Sequence, residues 1–227
     1  SRVGIGRYAF EILRHIYTRK SLPRRQAGQN LFRVYLPSSP LSDMPKETSW
    51  WKYVTASPRK LWTFIALPRM LFIDKPDVVF SPTHYIPRFV NIPRVMAIMD
   101  TSYLEYPEMF QKKDLYKLVA WTRYSVKHAK KILTISEFSK NAIIKAYGVA
   151  EDRVVVTYPG MTKISKSKYQ IGKNYILSVG TIQPRKNYVR LIEAFSKVAS
   201  NNLELIIVGK KGWLYDESLE APKRFGV

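Results

Sequence analysis

Two adjacent cations follow a hydrophobic run in the stretch "SVGTIQPRKN", residues 178–187. The run "NYILSVG" stops at Gly180, Arg185 and Lys186 come next in a polar segment, and "YVRLIEAFSKV" then has helical spacing. A strand, a tight turn and cations at a helix N-terminus favour a bound anion, because the backbone N–H groups and the helix dipole already attract negative charge there. The stretch therefore predicts an anion site, with a solvated turn carrying two surface cations as the alternative.

Further residues stand at positions where α/β proteins bind ligands. Gly4 and Gly6 in "GIGRY" precede a helix and would let the backbone approach a ligand closely, although a turn at a helix start also explains them. Asp100 ends the buried strand "PRVMAIMD", and the carboxyl ends of parallel strands are where such sheets place ligand-binding groups. His84 also follows a strand. The alternatives are that Asp100 only caps the following loop and that His84 is structural.

The serines of "SEFSK" have a local explanation. Ser136 is suited to the N-cap of a helix, Ser139 lies in its first turn, and Gly148 is a typical C-terminal stop. A ligand contact of Ser136 is the second interpretation.

These residues lie on a chain in which apolar strands alternate with amphipathic helices, which predicts parallel sheets with helices on both faces. The predicted strands are 31–37, 50–55, 76–82, 93–100, 131–136, 152–160, 174–180 and 203–209, and the predicted helices are 5–16, 58–72, 112–129, 137–148 and 187–200.

A segment without periodicity, residues 161–173, has the lysine and serine content of a linker. It predicts one α/β domain over 1–163 and the start of a second over 164–227. The chain opens at a helix and stops too early for a second domain to close its core. We therefore expect a fragment in which the first domain lacks its first strand and the second is truncated.

Composition limits the function classes. The 227 residues are 46% hydrophobic, as in globular proteins with a core. With 38 Lys and Arg against 17 Asp and Glu, the net charge of +21 suggests a polyanionic partner, namely nucleic acid, an anionic membrane or phosphorylated substrates; a solvated basic surface is the alternative. The absence of cysteine excludes disulfides and zinc–thiolate sites. The most apolar window, residues 61–73, is shorter than the roughly 20 residues that span a bilayer.

Three motifs, taken in order, resemble the retaining glycosyltransferase group 1 family, also called family 4. They are "GIGRYAFEIL", "KILTISEFSKNAIIKAYGVAEDRVVVTYPG" and "YILSVGTIQPRKNYVRLIEAF", and the resemblance covers nearly the whole chain. It implies the GT-B fold, in which two Rossmann-like domains face each other across a cleft. It also implies transfer of a sugar, of mannose or glucose type, from a nucleotide-diphospho-sugar to a hydroxyl acceptor with retention, in cell-envelope polysaccharide or glycolipid synthesis.

The resemblance also implies roles for individual residues. The residues expected to act in catalysis are Asp100, Lys186 and Arg185. The residues expected to bind the donor diphosphate are Arg185, Lys186, Gly180, Thr181, Gly4 and Gly6. The residues that could line the cleft are Ser136, Glu137 and His84. No cofactor and no metal are expected, in agreement with the lack of an Asp-x-Asp motif.

The sequence departs from the family pattern in three places. Met99 stands where many relatives have a histidine before the aspartate, Thr181 where some have arginine, and Gln183 where glutamate is commoner. The family's paired glutamates would lie beyond Val227, so we expect little or no turnover from this chain alone.

The expected setting is cytoplasmic, with a glycan or lipid-linked acceptor and peripheral association with the anionic inner face of the membrane through the basic first domain. No specific nucleic acid is expected. The rival hypotheses are a basic nucleic-acid-binding protein, although no RRM, KH or helix-turn-helix signature is present, and a non-catalytic homologue, which Met99 suggests.

Overall fold

The computed structural model of the protein describes residues 4–20, 30–161 and 174–227. The chain forms two compact units, Ser1–Glu105 with Lys113–Gly160 and Tyr106–Lys112 with Met161–Val227. The predicted linker, and with it the predicted domain boundary at 163/164, falls almost entirely outside the described residues.

Strands and helices alternate in both units. The first unit contains α1 (Ile5–Lys20), β1 (Phe32–Leu36), β2 (Trp51–Thr55), α2 (Ala66–Asp74), β3 (Val79–Ser81), β4 (Arg94–Ala97), α3 (Ser102–Glu105), nearly all of α4 (Lys112–His128), β5 (Lys131–Thr134), α5 (Glu137–Tyr147) and β6 (Val154–Val156). The second contains β7 (Asn174–Val179), α6 (Tyr188–Ser196), β8 (Leu203–Val208) and α7 (Asp216–Phe225).

Among the described residues every strand pair is parallel, which confirms the predicted α/β class with parallel sheets. The strands form a four-stranded sheet in the order β3-β4-β5-β6 and two separate pairs, β1-β2 and β7-β8. In the four-stranded sheet Met96 pairs with Ile132, and both are fully buried with Ile143 of α5. Because neighbouring strands run in the same direction, their carboxyl ends meet at one edge of the sheet.

Helix α5 has the predicted ends. The Ser136 hydroxyl accepts a hydrogen bond from the Ser139 N–H at 3.1 Å, and Gly148 ends the helix at φ +62° with its N–H bonded to the Ile144 carbonyl at 2.8 Å. Serine satisfies one of the free N–H groups of the first turn, and glycine adopts the left-handed conformation without steric penalty.

Helix α2 begins later than predicted. The sequence indicated a helix over 58–72, but residues 59–65 form turns, with Leu61 at φ +58°, and the helix spans Ala66–Asp74. Pro68 then lies in the first turn. Proline is tolerated there because the N–H groups of the first turn have no partner within the helix. In the part of the chain that the structure describes, no helix is long and apolar enough to cross a bilayer.

Other regions also differ from the prediction. The strand expected over 93–100 spans only Arg94–Ala97, so Asp100 lies three residues beyond its end, and the short helix α3 was not predicted. The strand expected over 152–160 is only three residues long, because a 3-10 turn, Glu151–Arg153, precedes β6. Helix α7 was not predicted at all. Its acidic first turn, basic last turn and C-terminal Gly226 are ordinary helix signals, but Pro222 inside it argues against a helix at the sequence level.

Candidate functional site

The carboxyl edge of the four-stranded sheet brings several predicted site residues of the first unit together. His84 follows β3, Asp100 follows β4 and Ser136 follows β5, each by two or three residues. The start of α1 is tied to the same edge, because the Tyr8 hydroxyl lies 2.8 Å from the Thr157 hydroxyl, directly after β6. The edge is thus the part of this unit where the predicted ligand-binding groups converge, as expected for parallel sheets.

Asp100 caps a helix with one of its oxygens. Its Oδ1 accepts hydrogen bonds from the Ser102 backbone N–H at 3.0 Å and the Ser102 hydroxyl at 2.5 Å, at the start of α3. Its Oδ2 has no hydrogen bond to any described residue and belongs to a half-buried side chain. Asp100 therefore caps the segment that follows it, as the alternative prediction held. Its second carboxylate oxygen is still able to accept a hydrogen bond from a ligand hydroxyl.

His84 is half-buried and close enough to Asp100 to feel its charge. Its ring centroid is 5.8 Å from that of Tyr103, and its Nδ1 is buried without a hydrogen-bond partner among the described residues. Burial lowers the pKa of His84, while the negative charge of Asp100 acts in the opposite direction. A histidine with a lowered pKa is neutral near pH 7 and can accept a hydrogen bond.

Ser136 and Glu137 need no ligand to explain them. The Ser136 hydroxyl caps α5, and the Ser139 hydroxyl donates to the Met99 carbonyl at 2.9 Å, which joins the start of α5 to the end of β4. Glu137 is exposed in the first turn, where a negative charge interacts favourably with the helix dipole.

Gly4 and Gly6 lie at the start of α1. Gly4 has φ +52°, and its carbonyl accepts hydrogen bonds from the N–H groups of Arg7 and Tyr8 at 3.0 and 3.1 Å. A Cβ at either glycine would meet nothing within 4 Å. The glycines therefore form the expected helix-start turn and have open space beside them.

In the second unit, backbone hydrogen bonds shape a loop that we call the basic loop, residues 180–187. Its strand-side half extends the pairing of β7 and β8, with N–H to carbonyl bonds from Gly180 to Val208 at 2.9 Å and from Ile182 to Lys210 at 2.8 Å. The Gly212 N–H also donates to the Ile182 carbonyl, at 2.9 Å. The course of this half of the loop is therefore set by main-chain atoms.

Glycines allow this close backbone approach. A Cβ on Gly209 would lie 1.7 Å from the Gly180 carbonyl oxygen, and a Cβ on Gly180 would lie 3.0 Å from the Tyr188 hydroxyl and 3.3 Å from Lys186 Cε. The Tyr188 hydroxyl donates to the Gly180 carbonyl at 3.0 Å. Gly209 and Tyr188 were not among the predicted site residues: the fold brings Gly209 to the loop, and Tyr188, which directly follows the loop in the chain, turns back onto Gly180.

Arg185 and Lys186 project from a 3-10 turn, Pro184–Lys186, directly before α6. Both are exposed, and neither forms an ion pair with a described residue. Asn187 follows at φ +54° as the N-cap of α6, but its side chain makes no capping hydrogen bond. Two cations and an N-terminus without a side-chain cap can bind an anion through charge-assisted hydrogen bonds.

Thr181, a predicted site residue, and Gln183, which departs from the family pattern, lie in the same loop. Thr181 is half-buried, and its Cγ2 would be 2.8 Å from a Cβ on Gly212. Gln183 is 4% exposed, and its buried Oε1 has no hydrogen-bond partner in the described chain. Within the described ranges, no group of three or more His, Cys, Asp or Glu side chains is arranged to hold a metal ion.

Comparison with known proteins identifies the family. The profile described as "Glycosyltransferase Family 4" matches residues 15–162, and the profile described as "Glycosyl transferases group 1" matches residues 162–225. The chain is 30% identical over 145 residues to the O-antigen chain mannosyltransferase RfbU of Salmonella typhimurium, a match covering 64% of this chain and 40% of that protein. It is also 30% identical over 156 residues to the O-antigen chain mannosyltransferase B of Escherichia coli, covering 62% of this chain and 41% of that protein.

The chain thus matches about two fifths of the length of these curated relatives. The two profiles follow one another along it and together cover nearly all of its residues. The α/β architecture with parallel sheets agrees with this assignment. The chain therefore belongs to the group 1 glycosyltransferases of family 4, which have the GT-B fold.

Proposed function

We propose that the protein transfers a sugar of mannose type from a nucleotide-diphospho-sugar to a hydroxyl group of a glycan, in O-antigen or related envelope polysaccharide synthesis. Family membership supports glycosyl transfer, and the names of the two relatives support the sugar and the type of product. The single observation that carries the proposal is the placement of Arg185 and Lys186 at the N-terminus of α6 without an ion-pair partner in the described chain.

The basic loop binds the donor diphosphate in this proposal. When the bond between the anomeric carbon and the phosphate oxygen breaks, negative charge develops on the leaving diphosphate. Arg185, Lys186 and the N–H groups at the start of α6 stabilise that charge, which lowers the barrier. Lys186 is suited to this task because its stem lies over Gly180, with Cε 3.3 Å from the Cβ position, so the loop backbone limits where the ammonium group can reach. No metal or cofactor is needed for this step.

Asp100 orients the acceptor in the same proposal. Its Oδ1 is fixed by Ser102, so Oδ2 has a defined direction and can accept a hydrogen bond from the acceptor hydroxyl. The new bond forms between that hydroxyl oxygen and the anomeric carbon as the bond from this carbon to the diphosphate oxygen breaks, and the hydroxyl proton leaves with the diphosphate. Attack on the face from which the diphosphate leaves retains the configuration. His84, buried nearby, adds a second hydrogen-bonding group at this edge.

Calorimetric titration of the protein in its full natural length with GDP, UDP and ADP tests the donor site. We expect one nucleotide to bind and Lys186→Ala to weaken its binding roughly tenfold or more, the value of one hydrogen bond to a charged group. Lys223→Ala, which removes an exposed cation from α7 of the same unit, is the matched control and should leave the affinity unchanged. Equal losses in both variants, or no binding by folded protein, would contradict the proposal.

A further inference from the structure

A cavity of about 470 Å³ lies in the first unit, at the carboxyl ends of β1 and β2. The two strands end together, because Leu36 pairs with Thr55, and the cavity is lined by Thr55, by Tyr53 and by residues of the loop 39–47. We call it the loop cavity. Its volume is typical of cavities that bind small ligands, and none of the residues assigned above to sugar transfer lines it. The loop cavity is therefore a separate candidate binding site.

Hydrogen bonds hold this loop against β2. The Tyr53 hydroxyl donates to the Pro45 carbonyl at 2.6 Å, and the Tyr53 backbone N–H donates to Glu47 Oε1 at 2.9 Å. The Met44 N–H donates to the Leu41 carbonyl at 3.0 Å, which closes a turn within the loop. The loop cavity is thus formed without a ligand, so the loop loses little further conformational freedom when a ligand binds.

One part of the lining is apolar. Leu41, Met44 and Pro45 contribute aliphatic surface, and Tyr53 contributes an aromatic ring. The Tyr53 ring lies edge-to-face with that of buried Trp51, with ring centroids 6.3 Å apart, so its position is set by packing. The Leu41 side chain is 62% exposed and is free to contact a ligand. These side chains can pack against the C–H groups of a ligand.

The other part of the lining is polar and has no net charge. It consists of the hydroxyl groups of Ser39 and Thr55, the Lys46 ammonium and the Glu47 carboxylate. Apart from Glu47 Oε1, which accepts the Tyr53 N–H, none of these groups has a hydrogen bond to a described residue. The ammonium and the carboxylate balance each other, in a chain whose net charge is +21. The lining therefore offers donors and acceptors without attracting an anion.

We propose that the loop cavity binds an uncharged sugar residue of the glycan acceptor, other than the residue whose hydroxyl group reacts. A sugar ring presents hydroxyl groups, which need hydrogen-bond donors and acceptors, and C–H groups, which pack against apolar side chains; the lining supplies both. A phosphate group would instead be attracted by a positive excess, as in the basic loop. The inference rests on the proposed function, because it takes the acceptor to be a glycan.

Binding at a second place would make the protein selective for longer acceptors. An oligosaccharide long enough to reach both Asp100 and the loop cavity is held at two places, and the second contact then forms within the complex, at a high effective concentration. A single sugar occupies only one of the two places. We therefore expect an uncharged oligosaccharide to bind more tightly than the monosaccharide from which it is built.

Calorimetric titration of the protein in its full natural length with mannotriose, maltotriose and chitotriose, which are uncharged oligosaccharides of different sugars, tests the inference. We expect at least one to bind, and Glu47→Gln to weaken its binding roughly tenfold, the value of one hydrogen bond to a charged group. The amide keeps an oxygen for the Tyr53 N–H, so the loop should stay in place. Leu41→Ser should weaken the same binding roughly threefold or more, because apolar contact area is lost.

Matched variants outside the cavity are the controls. Glu220→Gln removes an exposed carboxylate from α7, and Leu61→Ser removes a leucine that is 59% exposed, against 62% for Leu41; neither should change sugar binding. All these variants should bind nucleotide as the wild type does, so a wild type that binds sugar but no nucleotide contradicts the proposed function alone. The inference on the cavity is overturned if folded protein binds none of the oligosaccharides, if a cavity variant and its control lose the same affinity, or if Asp100→Asn abolishes binding that Glu47→Gln leaves intact.

Discussion

Replacing Gly209 with alanine should disrupt the basic loop although the substitution adds only one methyl group. The new Cβ would lie 1.7 Å from the Gly180 carbonyl oxygen and 2.7 Å from its carbonyl carbon. Both are backbone atoms, so no side chain can rotate away to relieve the contact. The two chain segments must therefore move apart.

The size of the effect follows from the bonds that this movement breaks. The Gly180 carbonyl accepts the Tyr188 hydroxyl at 3.0 Å, and the Gly180 N–H donates to Val208 at 2.9 Å. Overpacking costs about 1–3 kcal/mol, and each lost hydrogen bond costs about 1 kcal/mol. We expect Gly209→Ala to lower the free energy of unfolding by roughly 3–5 kcal/mol, which in a small domain lowers Tm by about 10 °C or more.

Thermal unfolding and nucleotide titration together test this reasoning. Gly160→Ala is the control, since a Cβ there meets nothing within 4 Å. Gly209→Ala should also weaken nucleotide binding, because Lys186 and Tyr188 are positioned against Gly180. If Gly209→Ala unfolds at the temperature of the control and binds nucleotide with wild-type affinity, the close approach does not support the loop.

Three further predictions concern the first unit. Because burial lowers the pKa of His84, the unfolded chain binds more protons than the folded chain as the pH falls below about 6.5, and stability declines there. His84→Gln should reduce this decline in urea unfolding at about pH 7 and 5, and an unchanged decline in the variant would contradict the reasoning. Asp74→Ala should lower the free energy of unfolding by about 2 kcal/mol and Tyr35→Phe by about 1 kcal/mol, and equal values for both would show that the ion pair on Asp74 adds nothing. Ser136→Ala should cost about 1 kcal/mol and Ser136→Gly only a few tenths, measured by the same unfolding curves, and a reversed order would exclude the capping role.

Short-range signals were read correctly from the sequence. The ends of α5 followed from Ser136 and Gly148, because each acts on backbone groups only three or four residues away. The placement of Arg185 and Lys186 before α6 was predicted for the same reason. At α2 the apolar periodicity extended into residues that form turns, and the position of Pro68 was the better guide to where the helix begins.

Long-range features could be predicted only where the topology is simple. Parallel strands place their ends together, so Asp100 and His84 could be expected at the same edge, and their roles in binding stay predictions. The contact between Gly209 and Gly180 joins residues far apart in the chain and depends on how β7 and β8 pair. No local sequence pattern predicts this contact. The burial of Gln183 could not be predicted from the sequence either.

In the basic loop, main-chain atoms determine the backbone course, whereas side chains provide the positive charge. Main-chain hydrogen bonds and glycine contacts hold the strand-side half, whereas Arg185 and Lys186 are exposed, and neither forms an ion pair with a described residue. Substitutions at 185 and 186 can therefore change the charge of the loop without changing its backbone course. The glycines that permit the close approach offer no such freedom, so variants at 185 and 186 should keep the stability of the wild type, whereas variants at 209 should lose it.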